Sequence, residues 1–221
     1  MTIDGTHISV CAAAATRMGM VSTALLSAKV IEKLRPKLIV MCGICAGVRG
    51  KVDLGDVLLA DPAWDFQSGK RVKDRENSSF SIAPHQIPVP TKLRIHVEQL
   101  RANHASLSRI AQKFGEEALR IPRILVGPVA SGSAVLADGE VIQQIKEQQR
   151  DLLGVEMEVY GLYAAAHSSS SPQPQAFALK AVCDFADPDK NDKAQRFAAF
   201  TSANVLSLLI ERFGVRLLQD V

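Results

Sequence analysis

The chain has 221 residues, of which 47% are hydrophobic and 22% are charged, and its formal net charge is +3. This length and composition are typical of one globular domain with a well-filled core. The small net charge argues against nucleic-acid binding, and no apolar run approaches the roughly 20 residues that cross a bilayer. Four cysteines and the absence of a signal-peptide pattern predict a cytoplasmic protein without a disulfide framework.

The first part of the chain predicts a strand, a helix and a second strand. We expect strands at residues 7–13 and 37–42, with a helix at residues 20–34 between them. The side chains expected on the inner face of this helix are Val21, Leu25, Ala28 and Leu34. The second strand is continuously apolar, which is typical of a parallel strand buried on both faces.

The rest of the chain continues the alternation of strands and helices. After a strand at 57–60 comes a long polar, proline-containing excursion at 62–90. The further predicted elements are helices at 91–114, 139–150, 155–166 and 194–213, and strands at 124–130 and 176–183. The pattern predicts one domain over residues 1–221, a three-layer α/β/α sandwich. The first strand begins so close to residue 1 that no central strand fits before it.

An aspartate follows the most apolar strand of the sequence. The run 176–183 ends at Asp184, and Pro188 forces the chain out of the sheet soon afterwards. Open α/β sheets place their chemistry at the carboxyl ends of such strands. We therefore interpret Asp184 as a catalytic acid.

Two glutamates, Glu156 and Glu158, form the second candidate group. On a helix they would point about 200° apart, so they could not face one pocket. In an extended or helix-entry conformation both could approach a ligand. The other interpretation is a solvated helix N-terminus, where carboxylates interact favourably with the helix dipole.

Three further motifs each have two interpretations. Ser133 belongs to a small-residue turn after a strand, which either cradles a ligand or only leads to the next helix. Cys42 and Cys45 have the CxxC spacing of a redox dithiol, but buried thiols at a strand end are commoner, and no metal site is expected. The cations Lys190, Lys193 and Arg196 either bind phosphate or form a solvated charged turn.

The order of these motifs resembles the nucleoside phosphorylase/nucleosidase superfamily, which includes purine and uridine phosphorylases and several nucleosidases. The segments that carry the resemblance are GICAGVRGKVDLGDVLLADP, VGPVASG, VEMEVYGLYAAA and ALKAVCDFADPDKNDKAQRFAAF. They extend over nearly the whole chain and are most similar to phosphorylase-like domains of larger proteins, some of which cleave ATP to adenine. The resemblance implies a mixed central sheet and a homodimer or higher oligomer. Because the family has an earlier strand that this sequence lacks, it also implies a truncated or excised domain.

The resemblance further assigns roles to individual residues. Asp184 would protonate the purine at N7, Glu158 would bind the ribose 2′- and 3′-hydroxyls, and Met157 would pack against the sugar. The remaining residues expected around the substrate are Cys45, Ala46, Gly47, Ser133, Val135, Leu136 and Glu156, with the backbone of Leu136 contacting the base. Arg17 joins Lys190, Lys193 and Arg196 as a candidate phosphate ligand. N-glycosidic cleavage needs an acid beside the leaving base, which agrees with these roles.

The nucleophile is expected to be water. Many phosphorylases hold phosphate with an arginine and a serine at positions where this sequence has Met41 and Ile44. The expected function is therefore hydrolysis of a purine nucleoside or nucleotide to the free base, without a cofactor and without a nucleic-acid or membrane partner. The alternatives are a phosphorylase, with inorganic phosphate as co-substrate, and a non-catalytic nucleotide-sensing or oligomerisation module of a larger protein.

Overall fold

The computed structural model describes residues 1–3, 5–74, 77–83, 85–134, 139–186 and 192–219. The strands are β1 (Thr2–Ile3), β2 (Thr6–His7), β3 (Leu38–Gly47), β4 (Val57–Asp65), β5 (Gly69–Asp74), β6 (Asn77–Ile82), β7 (Ile124–Ser131), β8 (Gly154–Glu156) and β9 (Gln175–Asp184). The helices are α1 (Met20–Leu34), α2 (Thr91–Arg101), α3 (His104–Phe114), α4 (Gly139–Gln148), α5 (Val159–His167) and α6 (Asp192–Gln219). Among the described residues, no helix is both long and apolar enough to span a bilayer.

The central sheet is mixed and its five strands close on themselves in the order β3-β8-β7-β4-β9. The β3–β9, β4–β7 and β7–β8 pairs are parallel, whereas β3–β8 and β4–β9 are antiparallel. The helix α6 packs against β3 and β9, and α1 packs against α5. The predicted α/β class with a mixed central sheet is confirmed, and closure into a barrel is the feature that the sequence pattern did not indicate.

The core lies between the strands and the helices that cover them. The side chains of β9 from Phe177 to Val182 are almost completely buried, as are Phe197, Val205 and Leu209 of α6. These helix residues recur at helical spacing, so one face of α6 covers the sheet. The core therefore fixes β9, the strand that ends at Asp184.

The strand predicted at residues 7–13 is mostly absent. Only Thr6 and His7 pair, with the two residues of β1, and residues 8–13 have no regular secondary structure. The strand β3 pairs with β9 along its length, but with β8 only at Ala46 and Gly47. Much of β3 is accordingly half-buried, which corrects the prediction that it is covered on both faces.

Helix α1 has the predicted bounds but the opposite orientation. Its buried residues are Thr23, Ser27 and Ile31, whereas Val21 is 73% and Leu25 60% exposed. Ala28 and Leu34 are exposed as well. The reason is the close approach of α1 to α5: a Cβ on Gly161 would lie 2.4 Å from the Met20 carbonyl oxygen. Small and polar side chains fit this contact better than leucines.

Two predicted helices are divided. The helix expected at residues 91–114 breaks before Asn103, whose side chain accepts a hydrogen bond from the Ser106 N–H and caps α3. The helix expected at 155–166 becomes the short strand β8 followed by α5. The excursion at residues 62–90 contains the β5–β6 hairpin.

Candidate active site

Some of the predicted site residues lie where several barrel strands end. Ala46 of β3 pairs with Val155 of β8 and with Asp184 of β9. Ser131, the last residue of β7, pairs with Glu156 of β8. One end of the barrel therefore brings together Ala46 and Asp184, which are more than 130 positions apart in the chain.

A β-bulge determines the position of Asp184. Cys45 pairs with Val182 and Ala46 with Asp184, so Cys183 is an extra residue on β9. Bulges change the direction of the side chains that follow them. Asp184 is half-buried, and its Oδ1 accepts a hydrogen bond of 2.8 Å from the Ala186 N–H. The carboxyl group is thus held at the barrel end, with Oδ2 3.5 Å from the Cys183 Sγ.

Glu156 is turned into the protein rather than towards a ligand. Its side chain accepts hydrogen bonds from the Ser131 hydroxyl, from the Glu158 N–H at 2.8 Å and from the Val159 N–H at 3.0 Å. It is also 3.0 Å from the Lys180 Nζ. Both carboxylate oxygens therefore bind protein groups, and Glu156 ties the start of α5 to the barrel. This geometry gives Glu156 a structural role.

Glu158 occupies the helix-entry position that allows it to face a ligand. It immediately precedes α5, and 22% of its side chain is exposed. Its Oε1 accepts a hydrogen bond from the Gly19 N–H at 3.2 Å, and its Oε2 lies 2.9 Å from the Lys180 Nζ. Burial alone would raise the pKa of Glu158, but the charge and hydrogen bond of Lys180 outweigh burial and lower the pKa. Glu158 is therefore a carboxylate at neutral pH.

Lys180 is a residue of this site that the sequence did not indicate. It lies on β9, is only 3% exposed, and forms ion pairs with both Glu156 and Glu158. Burial would lower the pKa of Lys180, but the two carboxylates raise it above its ordinary value. The signal was a single lysine inside the apolar run 176–183, because a buried ammonium group requires carboxylate partners.

The smaller predicted residues line the same end of the barrel. Gly47 is buried, and its neighbours leave no room for a side chain, because a Cβ there would lie 2.5 Å from Val52 Cγ2. The Cys45 thiol is buried, which raises its pKa well above the usual value. Ala46 and Met157 are half-buried, and Ser133 is exposed, with its N–H donating to Gln67 at 2.8 Å. Val135 and Leu136 lie outside the described residues.

The structure describes the side chains of only two of the four candidate phosphate ligands. Arg17 and Arg196 are exposed, while Lys190 and the side chain of Lys193 lie outside the described residues. Met41 and Ile44 are half-buried on β3. Of the CxxC pair, Cys42 is exposed and Cys45 buried, and both are free thiols.

Comparison with known proteins identifies the family. The model of the phosphorylase superfamily matches residues 2–213. An uncharacterized protein, y4jS, of Sinorhizobium fredii is 34% identical over 197 residues, which are 89% of this chain and 48% of that protein. The ATP nucleosidase Cap17 of Escherichia coli is 24% identical over 90% of this chain and 40% of its own length. The chain thus spans about half or less of these curated relatives.

Solved structures of several nucleosidases and hydrolases have the same fold as this chain. The 5′-methylthioadenosine/S-adenosylhomocysteine nucleosidase of S. pneumoniae, in a complex with a transition-state inhibitor, has a TM-score of 0.66 and 22% identity. The alignment covers 88% of this chain and 77% of the nucleosidase. The futalosine hydrolase of Helicobacter pylori has a TM-score of 0.63 and 17% identity, with 89% and 77% of the two chains covered. This chain belongs to the phosphorylase superfamily.

Proposed function

We propose that the domain is a purine N-glycosidase, which hydrolyses a nucleoside or nucleotide to the free base. The observation that carries the proposal is the pair of carboxyl groups at one barrel end, a half-buried Asp184 behind a bulge and a Glu158 kept ionised by Lys180. These two groups match the two requirements of the reaction, a proton for the leaving base and negative charge beside the sugar.

In the proposed reaction the bond between C1′ of the ribose and the purine nitrogen breaks, and its electron pair leaves with the base. Asp184 donates a proton to N7, so that the base departs as a neutral molecule. The Glu158 carboxylate accepts hydrogen bonds from the 2′- and 3′-hydroxyls and stabilises the positive charge that develops on the sugar. Water then attacks C1′ and loses a proton, which restores the carboxylic acid of Asp184 and yields ribose or a 5′-substituted ribose.

Two observations favour water over phosphate as the nucleophile. Met41 and Ile44 bring no charge or hydroxyl group to β3, whereas a phosphate dianion requires charged or hydrogen-bonding partners. Several similar proteins are named as nucleosidases, including an ATP nucleosidase and methylthioadenosine/adenosylhomocysteine nucleosidases. Met157, Cys45, Ala46, Gly47, Ser133, Val135 and Leu136 remain the proposed substrate contacts, and Arg17, Lys190, Lys193 and Arg196 the proposed phosphate contacts.

The test is to incubate the protein with ATP, AMP, adenosine and methylthioadenosine, each with and without inorganic phosphate, and to separate the products by chromatography. Release of adenine without phosphate supports the proposal, and the preferred substrate identifies the 5′-substituent. Ribose 1-phosphate that forms only with phosphate would assign a phosphorylase instead. Calorimetric binding of a nucleotide without release of any base would assign a non-catalytic module.

A further inference from the structure

The small-residue turn at the end of β7 is held by two residues from the excursion. The Phe66 N–H donates a hydrogen bond of 3.1 Å to the Ser131 carbonyl oxygen. The Gln67 side chain accepts a hydrogen bond of 2.8 Å from the Ser133 N–H. Between these two bonds the Phe66 ring lies against Gly132. Each of the three turn residues therefore contacts Phe66 or Gln67.

The contact with the Phe66 ring explains why position 132 is a glycine. A Cβ there would lie 2.1 Å from Phe66 Cε1, whereas real Cβ atoms essentially never come within 3.0 Å of another heavy atom. The φ angle of Gly132 is one that other residues also adopt, so the glycine is required by space and not by conformation. Phe66 is only 7% exposed and belongs to the buried cluster of Trp64 and Leu152, so its ring has no room to turn aside.

The opposite side of the turn is attached to β8 and α5. The Gly132 N–H donates a hydrogen bond of 2.9 Å to the Glu156 carbonyl oxygen. The Ser131 hydroxyl accepts one of 2.9 Å from the Tyr160 N–H. The turn is therefore held between the excursion on one side and β8 and α5 on the other, and its position depends on both.

We infer that Phe66 and Gln67 are positioning residues for the purine base, and this inference rests on the proposed function. Val135 and Leu136, the proposed contacts of the base, follow the turn directly in the chain. A displacement of the turn therefore changes where these residues meet the base. Because Asp184 lies on another strand, β9, the displacement should weaken base binding more than it impairs protonation.

Gly132→Ala tests the ring contact. The added methyl group must displace the turn or the ring by about 1 Å, and misplacements of that size can cost about 100-fold. Calorimetry with adenine and with guanine should therefore show base affinity reduced by about tenfold or more. Phe66→Leu in the same chain should restore most of it, because leucine lacks the ring atoms that clash. The matched control is Gly127→Ala on β7, where a Cβ would lie 2.7 Å from Leu153 Cδ1; it should lose stability but keep the affinity.

Gln67→Met tests the hydrogen bond without disturbing the core, because the Gln67 side chain is exposed. Base affinity should fall about two- to tenfold, the usual effect of one hydrogen bond. Gln67→Glu should restore it, since a carboxylate oxygen accepts the same bond from the Ser133 N–H. In nucleoside hydrolysis, Gly132→Ala and Gln67→Met should each raise KM by a larger factor than they lower kcat. A purely structural role would lower the unfolding midpoint and leave KM unchanged.

Wild-type base affinity in Gly132→Ala, or a failure of Phe66→Leu to restore a lost affinity, would overturn the inference. Equal loss of affinity in the Gly127→Ala control would overturn it as well, because any overpacking of β7 would then have the same effect. So would a wild type that binds neither adenine nor guanine. A wild type that binds a base but releases none from a nucleoside would contradict the proposed function and leave the positioning result intact.

Discussion

Replacement of Lys180 by methionine removes the only charge that separates Glu156 from Glu158 in the described site. The ammonium group lies 3.0 Å from one carboxylate and 2.9 Å from the other, and Lys180 is 3% exposed. Loss of one partner from a buried ion pair typically costs about 3–5 kcal/mol. A domain with about 5–15 kcal/mol of stability would survive with a large part of it lost. We therefore expect Lys180→Met to fold, but with a much lower free energy of unfolding.

The expected loss in the free energy of unfolding follows from the repulsion between the Glu156 and Glu158 carboxylates. Their Oε2 atoms bind the same ammonium nitrogen, so they are at most about 6 Å apart, and two charges at this distance repel by about 3 kcal/mol at an effective dielectric constant of 20. Such a repulsion disfavours ionisation of both carboxyl groups together, so the pKa of one of them rises. In the wild type the charge and hydrogen bond of Lys180 lower the pKa of Glu158 instead.

The pH dependence of stability has opposite signs in the wild type and in Lys180→Met. In the wild type the contribution of Glu158 is complete above its unfolded pKa and is lost as the pH falls through the lower folded pKa. In Lys180→Met the raised carboxyl pKa makes stability fall as the pH rises above the ordinary glutamate pKa of about 4.3. Urea unfolding at several pH values measures this slope. The exposed Lys33→Met is the matched control, and Lys180→Met with Glu156→Gln should recover about 3 kcal/mol because one charge is removed.

The reasoning about Lys180 would be refuted by a Lys180→Met variant within about 1 kcal/mol of the wild type, the effect of an ordinary substitution, with the same pH slope. The control variant Lys33→Met must show neither the loss of stability nor the changed pH slope, since the Lys33 side chain is exposed on α1.

Three further predictions concern the supports of the site. Gly47→Ala places a Cβ 2.5 Å from Val52 and 2.7 Å from Val182, so urea unfolding should show a loss of about 1–3 kcal/mol. Ser131→Ala removes the hydroxyl group that donates to Glu156 and accepts from the Tyr160 N–H, and thermal unfolding should reveal a cost of about 1–3 kcal/mol. Gly161→Ala places a Cβ 2.4 Å from the Met20 carbonyl oxygen, which should separate α1 from α5. Hydrolysis should then slow, because the Gly19 N–H beside α1 donates to Glu158. An unchanged unfolding midpoint would contradict the importance of the contact between α1 and α5.

Local patterns predicted most elements well. The bounds of α1 were predicted without error, and β9 was predicted to within a residue, because the helical spacing and the long apolar run are strong signals. The orientation of α1 could not be predicted, because it depends on a tertiary contact at Gly161. An apolar stripe predicts which face of a helix packs against the rest of the domain, but in α1 the polar face packs and the apolar side chains Val21 and Leu25 are exposed.

The site was predicted less completely than the fold. The bulge at Cys183 determines the direction of Asp184, and a bulge exists only relative to a neighbouring strand. The division of the predicted helix at 155–166 follows from Glu156, whose carboxylate binds the first N–H groups of α5 instead of a ligand. The sequence did not indicate the partners of Lys180 either, because Glu156 and Glu158 are more than 20 residues away from it in the chain.

The most direct test of the central claim is the rate of base release by Asp184→Asn in phosphate-free buffer, with the best substrate of the wild type. Asp151→Asn is the matched control, because the Asp151 side chain is 68% exposed and lies outside the site. A lost general acid typically costs about 10²- to 10⁴-fold in rate. We expect a decrease of this size for Asp184→Asn and none for Asp151→Asn. Equal rates for the wild type and Asp184→Asn would contradict the role of Asp184 as the general acid.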